Sequence, residues 1–237
     1  ASKILNITLT HRGKLGETPV PMAGIPHHAA NSYIDKLTEA GKKVAICEQV
    51  ENPKEAVGIV KRAVTQIVTP GIPYDFEKIN PNTKQFIATA CYDERYFYLC
   101  LIDFSTGEFF GQKCHDLEEL LDKIKTYSPK EFLLSMGQWD QYPLIEETLE
   151  NLNSLKTYIN SEYFEEQNTK VYIEKFIPNF KRDLTLKQTQ NILNCIGALS
   201  YYINSTQEID QLCHIQPFRL LGDSKVMKIT MKTLNGL

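Results

Sequence analysis

Gln85-Phe86-Ile87-Ala88-Thr89-Ala90-Cys91, Arg95-Tyr96-Phe97-Tyr98-Leu99-Cys100-Leu101-Ile102-Asp103 and Glu108-Phe109-Phe110-Gly111-Gln112-Lys113-Cys114 follow one another with little between them. Each run is rich in the aromatic and branched residues that suit a pleated surface. The interruptions, Asp93-Glu94 and Ser105-Thr106-Gly107, are hairpin turn chemistry. The stretch therefore predicts an antiparallel meander of three strands.

Downstream, Leu117, Leu120, Leu121 and Ile124 recur at helical spacing behind Asp116, a suitable N-cap. Ser128-Pro129 precedes the short apolar run Phe132-Leu133-Leu134. A helix after Pro143 carries Leu144, Ile145, Thr148, Leu149 and Leu152. A strand is expected over Leu155 to Ile159, and a helix across Thr169 to Ile177 closes the series. The order β-β-β-α-β-α-β suits a three-layer α/β domain of the ribonuclease-H-like kind.

Upstream, Pro21-Met22-Ala23-Gly24-Ile25-Pro26-His27-His28-Ala29 reads as a bent loop, its backbone restricted at both prolines and free at Gly24. Ala30, Ile34 and Leu37 then mark an amphipathic helix stopped at Gly41. Val44-Ala45-Ile46-Cys47 reads as a short buried strand, and Val60 to Thr69 as a second one before the Pro70-Gly71 turn. From Asp183 onward Leu186, Leu193, Ile196, Leu199 and Ile203 predict a helix, and Leu212 to Leu221 an extended segment.

The Pro-Met-Ala-Gly-Ile-Pro-x-His-Ala pattern, the Val44-Ala45-Ile46-Cys47-Glu48-Gln49 strand and the Ile67-Val68-Thr69-Pro70-Gly71 ending resemble the MutS DNA mismatch-repair family. Gly197 to Tyr202, Thr206-Gln207 and His214-Ile215-Gln216 are similar to the start of that family's lever region. The resemblance implies part of a mismatch-recognition domain over 1–72, a linker over 73–83, a ribonuclease-H-like connector over 84–180, and the beginning of a helical lever over 181–237. On that reading the chain is a fragment.

The composition is that of a soluble globular protein, with 42% hydrophobic and 23% charged residues. A formal net charge of -3 argues against a free-standing nucleic-acid binder, so any DNA contact requires a local basic patch. Cysteines stand at 47, 91, 100, 114, 195 and 213 with no C-x-x-C pair, several inside apolar runs. Buried free thiols are favoured over a disulfide or zinc framework. Asn6-Ile7-Thr8 and Asn204-Ser205-Thr206 match the glycosylation pattern, but no signal-peptide pattern or membrane-length apolar stretch accompanies them. The expected location is the cytoplasm, away from any membrane.

A ribonuclease-H-like reading invites a metal-dependent nuclease, with Asp93, Asp103 and Glu108 as the candidate carboxylates. Against it, the centre of the first strand is Ala88-Thr89-Ala90, where a ligand would be needed. His27 and His28, near His11 and Arg12, lack a carboxylate or thiolate at ligand spacing, which disfavours a metal site. The family resemblance instead puts Arg12, Lys14, Met22, His27, Lys61 and Arg62 on or near a DNA-facing side, where cations neutralise phosphates and short apolar groups press into a minor groove. It nominates Gln167 and Asn168 for docking the partner MutL.

The family's mismatch reader is a Phe-x-Glu upstream of the Met-Ala-Gly-Ile-Pro loop; none occurs at or before that loop here. Nor is there a G-x-x-x-x-G-K-[ST] phosphate loop. No cofactor and no enzymatic activity are expected of this chain. The parent family uses ATP and Mg, works as a dimer with a second MutS subunit, binds mispaired duplex DNA and recruits MutL. A pure protein-interaction module is the remaining alternative.

Overall fold

The computed structural model describes residues 1–52, 58, 60–74, 84–176, 190–207 and 214–222. Most of the expected linker, the start of the helix expected from Asp183, and residues 212–213 of the expected extended segment lie outside these. The chain divides into two units, Ala1–Ile79 and Asn80–Leu237.

In the first unit, helix α1 (Ser2–Leu5) precedes a hairpin of β1 (Thr10–Leu15) and β2 (Thr18–Met22). The two-residue Gly16-Glu17 turn closes it, with Gly16 at φ +64°. The sequence reading took Pro21 and Met22 as part of a loop, whereas they end β2. Pro19 and Pro21 donate nothing to a ladder, which a ribbon with only one neighbour tolerates. A 3-10 turn (His27–Ala29) leads into α2 (Ala30–Glu39), which buries Ile34. Gly41, at φ +69°, ends it as predicted, with Gly41 N–H donating to Thr38 O at 2.8 Å and Lys42 N–H to Leu37 O at 2.9 Å.

A second ribbon pairs β3 (Val44–Gln49) with β4 (Arg62–Val68) antiparallel. The expectation of a buried β3 is corrected: Val44 and Ile46 are half-buried, Ala45 and Cys47 exposed. β3 belongs to a two-stranded ribbon that packs against α2, so its residues alternate between covered and open. Thr69 and Ile72 exchange backbone hydrogen bonds of 2.9 and 3.0 Å around the Pro70-Gly71 turn.

The second unit is built on a six-stranded sheet: β5 (Phe86–Tyr92), β6 (Phe97–Asp103), β7 (Glu108–Cys114), β8 (Glu131–Ser135), β9 (Leu155–Ile159) and β10 (Arg219–Leu221), in spatial order β10-β7-β6-β5-β8-β9. The predicted meander is β5-β6-β7, antiparallel throughout. β8 and β9 continue from β5 in parallel, and β10 lies parallel to β7.

Helices α3 (Leu117–Tyr127) and α4 (Pro143–Asn151) cover one face, where Ala88, Leu101, Phe110, Leu120, Phe132 and Leu149 share a core. Asp116 caps α3 as predicted, its carboxylate accepting from Glu119 N–H at 2.8 Å. The opposite face carries α6 (Gln190–Gln207), packed on β5 and β6 and against α5 (Glu166–Phe176). With both faces covered, β5, β6 and β8 are buried along nearly their whole length.

Candidate nucleic-acid interface

Every residue of β1 and β2 is exposed. Two features of the sequence shape the hairpin: the Gly16-Glu17 turn, and a bulge between His11 and Lys14 that contains Gly13 at φ +68°. Arg12 and Lys14 flank that glycine, and Met22 sits across the ladder from Thr10, whose hydroxyl donates to Met22 O at 2.9 Å. One ribbon thus brings Arg12, Lys14 and Met22 together. Among the described residues no carboxylate pairs with either cation.

The remaining basic candidates stand on the other ribbon. Arg62 opens β4 opposite Gln49 and is exposed. Lys61, also exposed, uses its backbone to close the ribbon: its N–H donates to Glu51 Oε1 and its carbonyl accepts from Val50 N–H at 3.0 Å. The Glu51 carboxylate beside Lys61 subtracts from the positive field there. His27 is exposed on the 3-10 turn beside His28. No cluster of histidine, cysteine and carboxylate able to hold a metal occurs among the described residues.

The candidate nuclease carboxylates do not converge. Asp93 sits in the β5-β6 turn, whereas Asp103 and Glu108 face each other at the opposite end of β6 and β7. The length of β6 separates them by about 20 Å, far more than a two-metal site spans.

Each of the three is also engaged. Asp93 accepts from Arg95 N–H, Tyr96 N–H and Tyr98 O–H, all at 2.9 Å, and from Asn191 Nδ2 at 3.0 Å. Partial burial by itself raises the Asp93 carboxyl, but these donors together hold it below its ordinary value. Asp103 is fully buried and accepts from Ser105 N–H at 3.0 Å, Ser105 O–H at 2.6 Å, and Gln85 and Thr106 N–H at 3.3 Å. Glu108 pairs with Lys84 at 2.5 Å and Arg219 at 3.3 Å. These are turn-forming and ion-paired acids.

Gln167 and Asn168 lie at the start of α5. Exposed Gln167 donates from Nε2 to Glu165 at 3.2 Å, while Asn168 Nδ2 donates to Glu162 O at 2.8 Å and so ties the helix start to the turn before it. Both side chains are engaged locally, Gln167 exposed and Asn168 half-buried. Sequence reasoning missed the hairpin that presents Arg12 and Lys14, although the Gly16-Glu17 pair between two polar-apolar runs was a usable turn signal.

Comparison with known families agrees with this division. A family model described as MutS domain I matches residues 1–77, and one described as MutS domain II matches residues 85–216. The DNA mismatch repair protein MutS of Flavobacterium psychrophilum is 32% identical over 240 aligned residues, taking in all of this chain and 27% of the relative. MutS of Caldanaerobacter subterraneus subsp. tengcongensis is 31% identical, again over all of this chain and 27% of the relative. MutS of Lactococcus lactis subsp. lactis reaches 44% identity over 56% of this chain and 16% of its own length. The chain therefore spans roughly a quarter of the length of such relatives, and it belongs to the MutS family of DNA mismatch repair proteins.

Proposed function

We propose that this chain supplies a DNA-contacting support and a connector to a MutS protein that binds mispaired or looped duplex DNA. The observation that carries this reading is the β1-β2 hairpin, exposed on every residue and bearing Arg12 and Lys14 without a pairing carboxylate among the described residues. Its cations meet phosphates, and Met22 at the end of β2 offers an apolar edge to a minor groove. His27, Lys61 and Arg62 extend the contact, Lys61 weakly because Glu51 lies beside it. The net charge of -3 restricts binding to this local patch.

The second unit carries a ribonuclease-H-like connector, and α6, which the resemblance gave to the lever, packs on its sheet within the residues that the domain II model matches. Three antiparallel strands followed by two parallel ones, with helices on both faces, support that topology. The engaged and separated carboxylates support a connector without catalysis. Gln167 and Asn168, at the start of α5, are the side chains we assign to MutL docking. ATP, Mg, the second MutS subunit and the cytoplasmic setting belong to the full-length protein of this reading.

The test is duplex binding by fluorescence anisotropy across a salt series. Arg12→Ala and Lys14→Ala should each weaken binding to all sequences alike and lower the salt slope by about 1. Unchanged slopes in both variants would remove the hairpin from the interface. Incubation with Mg and duplex should leave the DNA uncut, and cleavage lost in Asp103→Asn would restore the nuclease.

A further inference from the structure

Three cysteines meet on the sheet face that α6 covers. Cys91 lies on β5, Cys100 on β6 and Cys195 on α6, and all are free thiols in the core. Cys195 Sγ is 3.0 Å from Cys91 Sγ, and Cys100 is a further thiol neighbour. The other polar neighbours are main-chain carbonyls, Tyr98 O at 3.8 Å from Cys195 and Ile192 O at 4.0 Å from Cys100. Any small apolar residue would fill these positions, but only thiols at this spacing can be joined covalently.

We propose that Cys91 and Cys195 form an oxidisable dithiol whose disulfide staples α6 onto β5, with a peroxide as the oxidant. Cys91 is 3% exposed and Cys195 is 0% exposed, so Cys91 meets the oxidant first. Its thiolate sulfur attacks one peroxide oxygen, the O–O bond breaks, and the second oxygen leaves as water after taking a proton. The resulting sulfenic acid is then attacked by the Cys195 sulfur: the S–S bond forms, the S–O bond breaks, and hydroxide leaves as water with the Cys195 proton. Two thiols lose two electrons and two protons, and hydrogen peroxide becomes two waters.

Burial, followed by the neighbouring Cys100 and Cys91, pushes the Cys195 thiol well above its ordinary range. Both thiols are closed off from solvent while α6 is seated, which keeps the pair reduced there. It reacts when a local opening of α6 admits peroxide and hydroxide, and the product then fixes α6 in its docked position.

The experiment uses the whole chain carrying Cys47→Ser and Cys213→Ser, treated with hydrogen peroxide under native conditions and read by non-reducing peptide mapping and amide hydrogen exchange. The expected result is a Cys91–Cys195 linked peptide that has lost two hydrogens, slower exchange across α6, and reversal of both by dithiothreitol. Cys91→Ala and Cys195→Ala should each lose the linkage, and the map of the parent chain stands whether or not those variants fold. The proposal is overturned if both thiols stay free under peroxide that oxidises Cys47 in the unsubstituted chain. Linkage through Cys100 instead, or linkage only after unfolding in urea, overturns it equally.

Discussion

Asp93 and Tyr98 lock the turn between β5 and β6, and their titrations report it from opposite ends of the pH scale. Burial and then the hydrogen bond to the Asp93 charge push the Tyr98 phenol up to about 12. A folded value above the unfolded one stabilises the fold fully below pH 10 and loses that contribution as pH rises through about 12. Asp93 works in the other direction: its lowered value stabilises the fold above its ordinary value of 3.8, and the contribution is lost as pH falls through the folded value. Asn191→Ala removes one donor and should move the Asp93 titration upward by NMR, with α6 losing its tie to the turn. An unmoved Asp93 would mean that Asn191 contributes nothing there. The sequence identified Asp93 as a turn residue correctly. It could not identify Asp103 as one of the most buried acids in the unit: Ser105 and Thr106 are local turn donors, but Gln85 and the burial itself arrive only when β5 and β6 are paired.

Among the elements, α6 is held by close packing and by a buried carboxyl, and each makes a prediction. A Cβ at Gly197 would stand 2.4 Å from Thr169 Cβ and 2.6 Å from its Cα, so the crossing of α5 and α6 depends on glycine. Gly197→Ala should cost about 1–3 kcal/mol in urea unfolding through overpacking. A neutral result would show that α5 shifts freely. Further along α6, buried Glu131 Oε1 accepts from Tyr202 O–H and Thr157 O–H, both at 2.5 Å. Tyr202→Phe removes one of these donors and should cost about 1–3 kcal/mol in the same assay; no loss would make that bond dispensable.

The elements themselves were largely legible, since local pattern carries them. β7 and β9 have the expected ends, and α3 and α4 start where Asp116 and Pro143 placed them. The β1-β2 hairpin was only partly legible: Gly16-Glu17 signals a turn, but Pro19 and Pro21 argue against a strand unless its one-sided pairing is known. The docking of α6 on β5 and β6, and the parallel pairing of β10 with β7, join residues about a hundred positions apart. No local pattern records such a pairing.

At the scale of the molecule, the two units correspond to two family domains, and the family is readable from the sequence of Pro21 to Gln49 and of Ile67 to Gly71. What those segments could not tell is that Arg12 and Lys14 stand on an exposed ribbon, an arrangement that tertiary structure sets. The account's central claim is that this ribbon contacts duplex DNA as a support and that discrimination needs the Phe-x-Glu, which is absent at and before the Met22–Pro26 loop. The direct measurement is the affinity of this chain for matched and singly mismatched duplexes across salt, beside a longer form made by adding a segment with a Phe-x-Glu ahead of the Met22–Pro26 loop. The account predicts weak, salt-sensitive binding that is equal for the two duplexes and depends on Arg12 and Lys14, with a mismatch preference appearing only in the longer form. Mismatch preference in this chain alone, or duplex binding indifferent to Arg12→Ala and Lys14→Ala together, would contradict it.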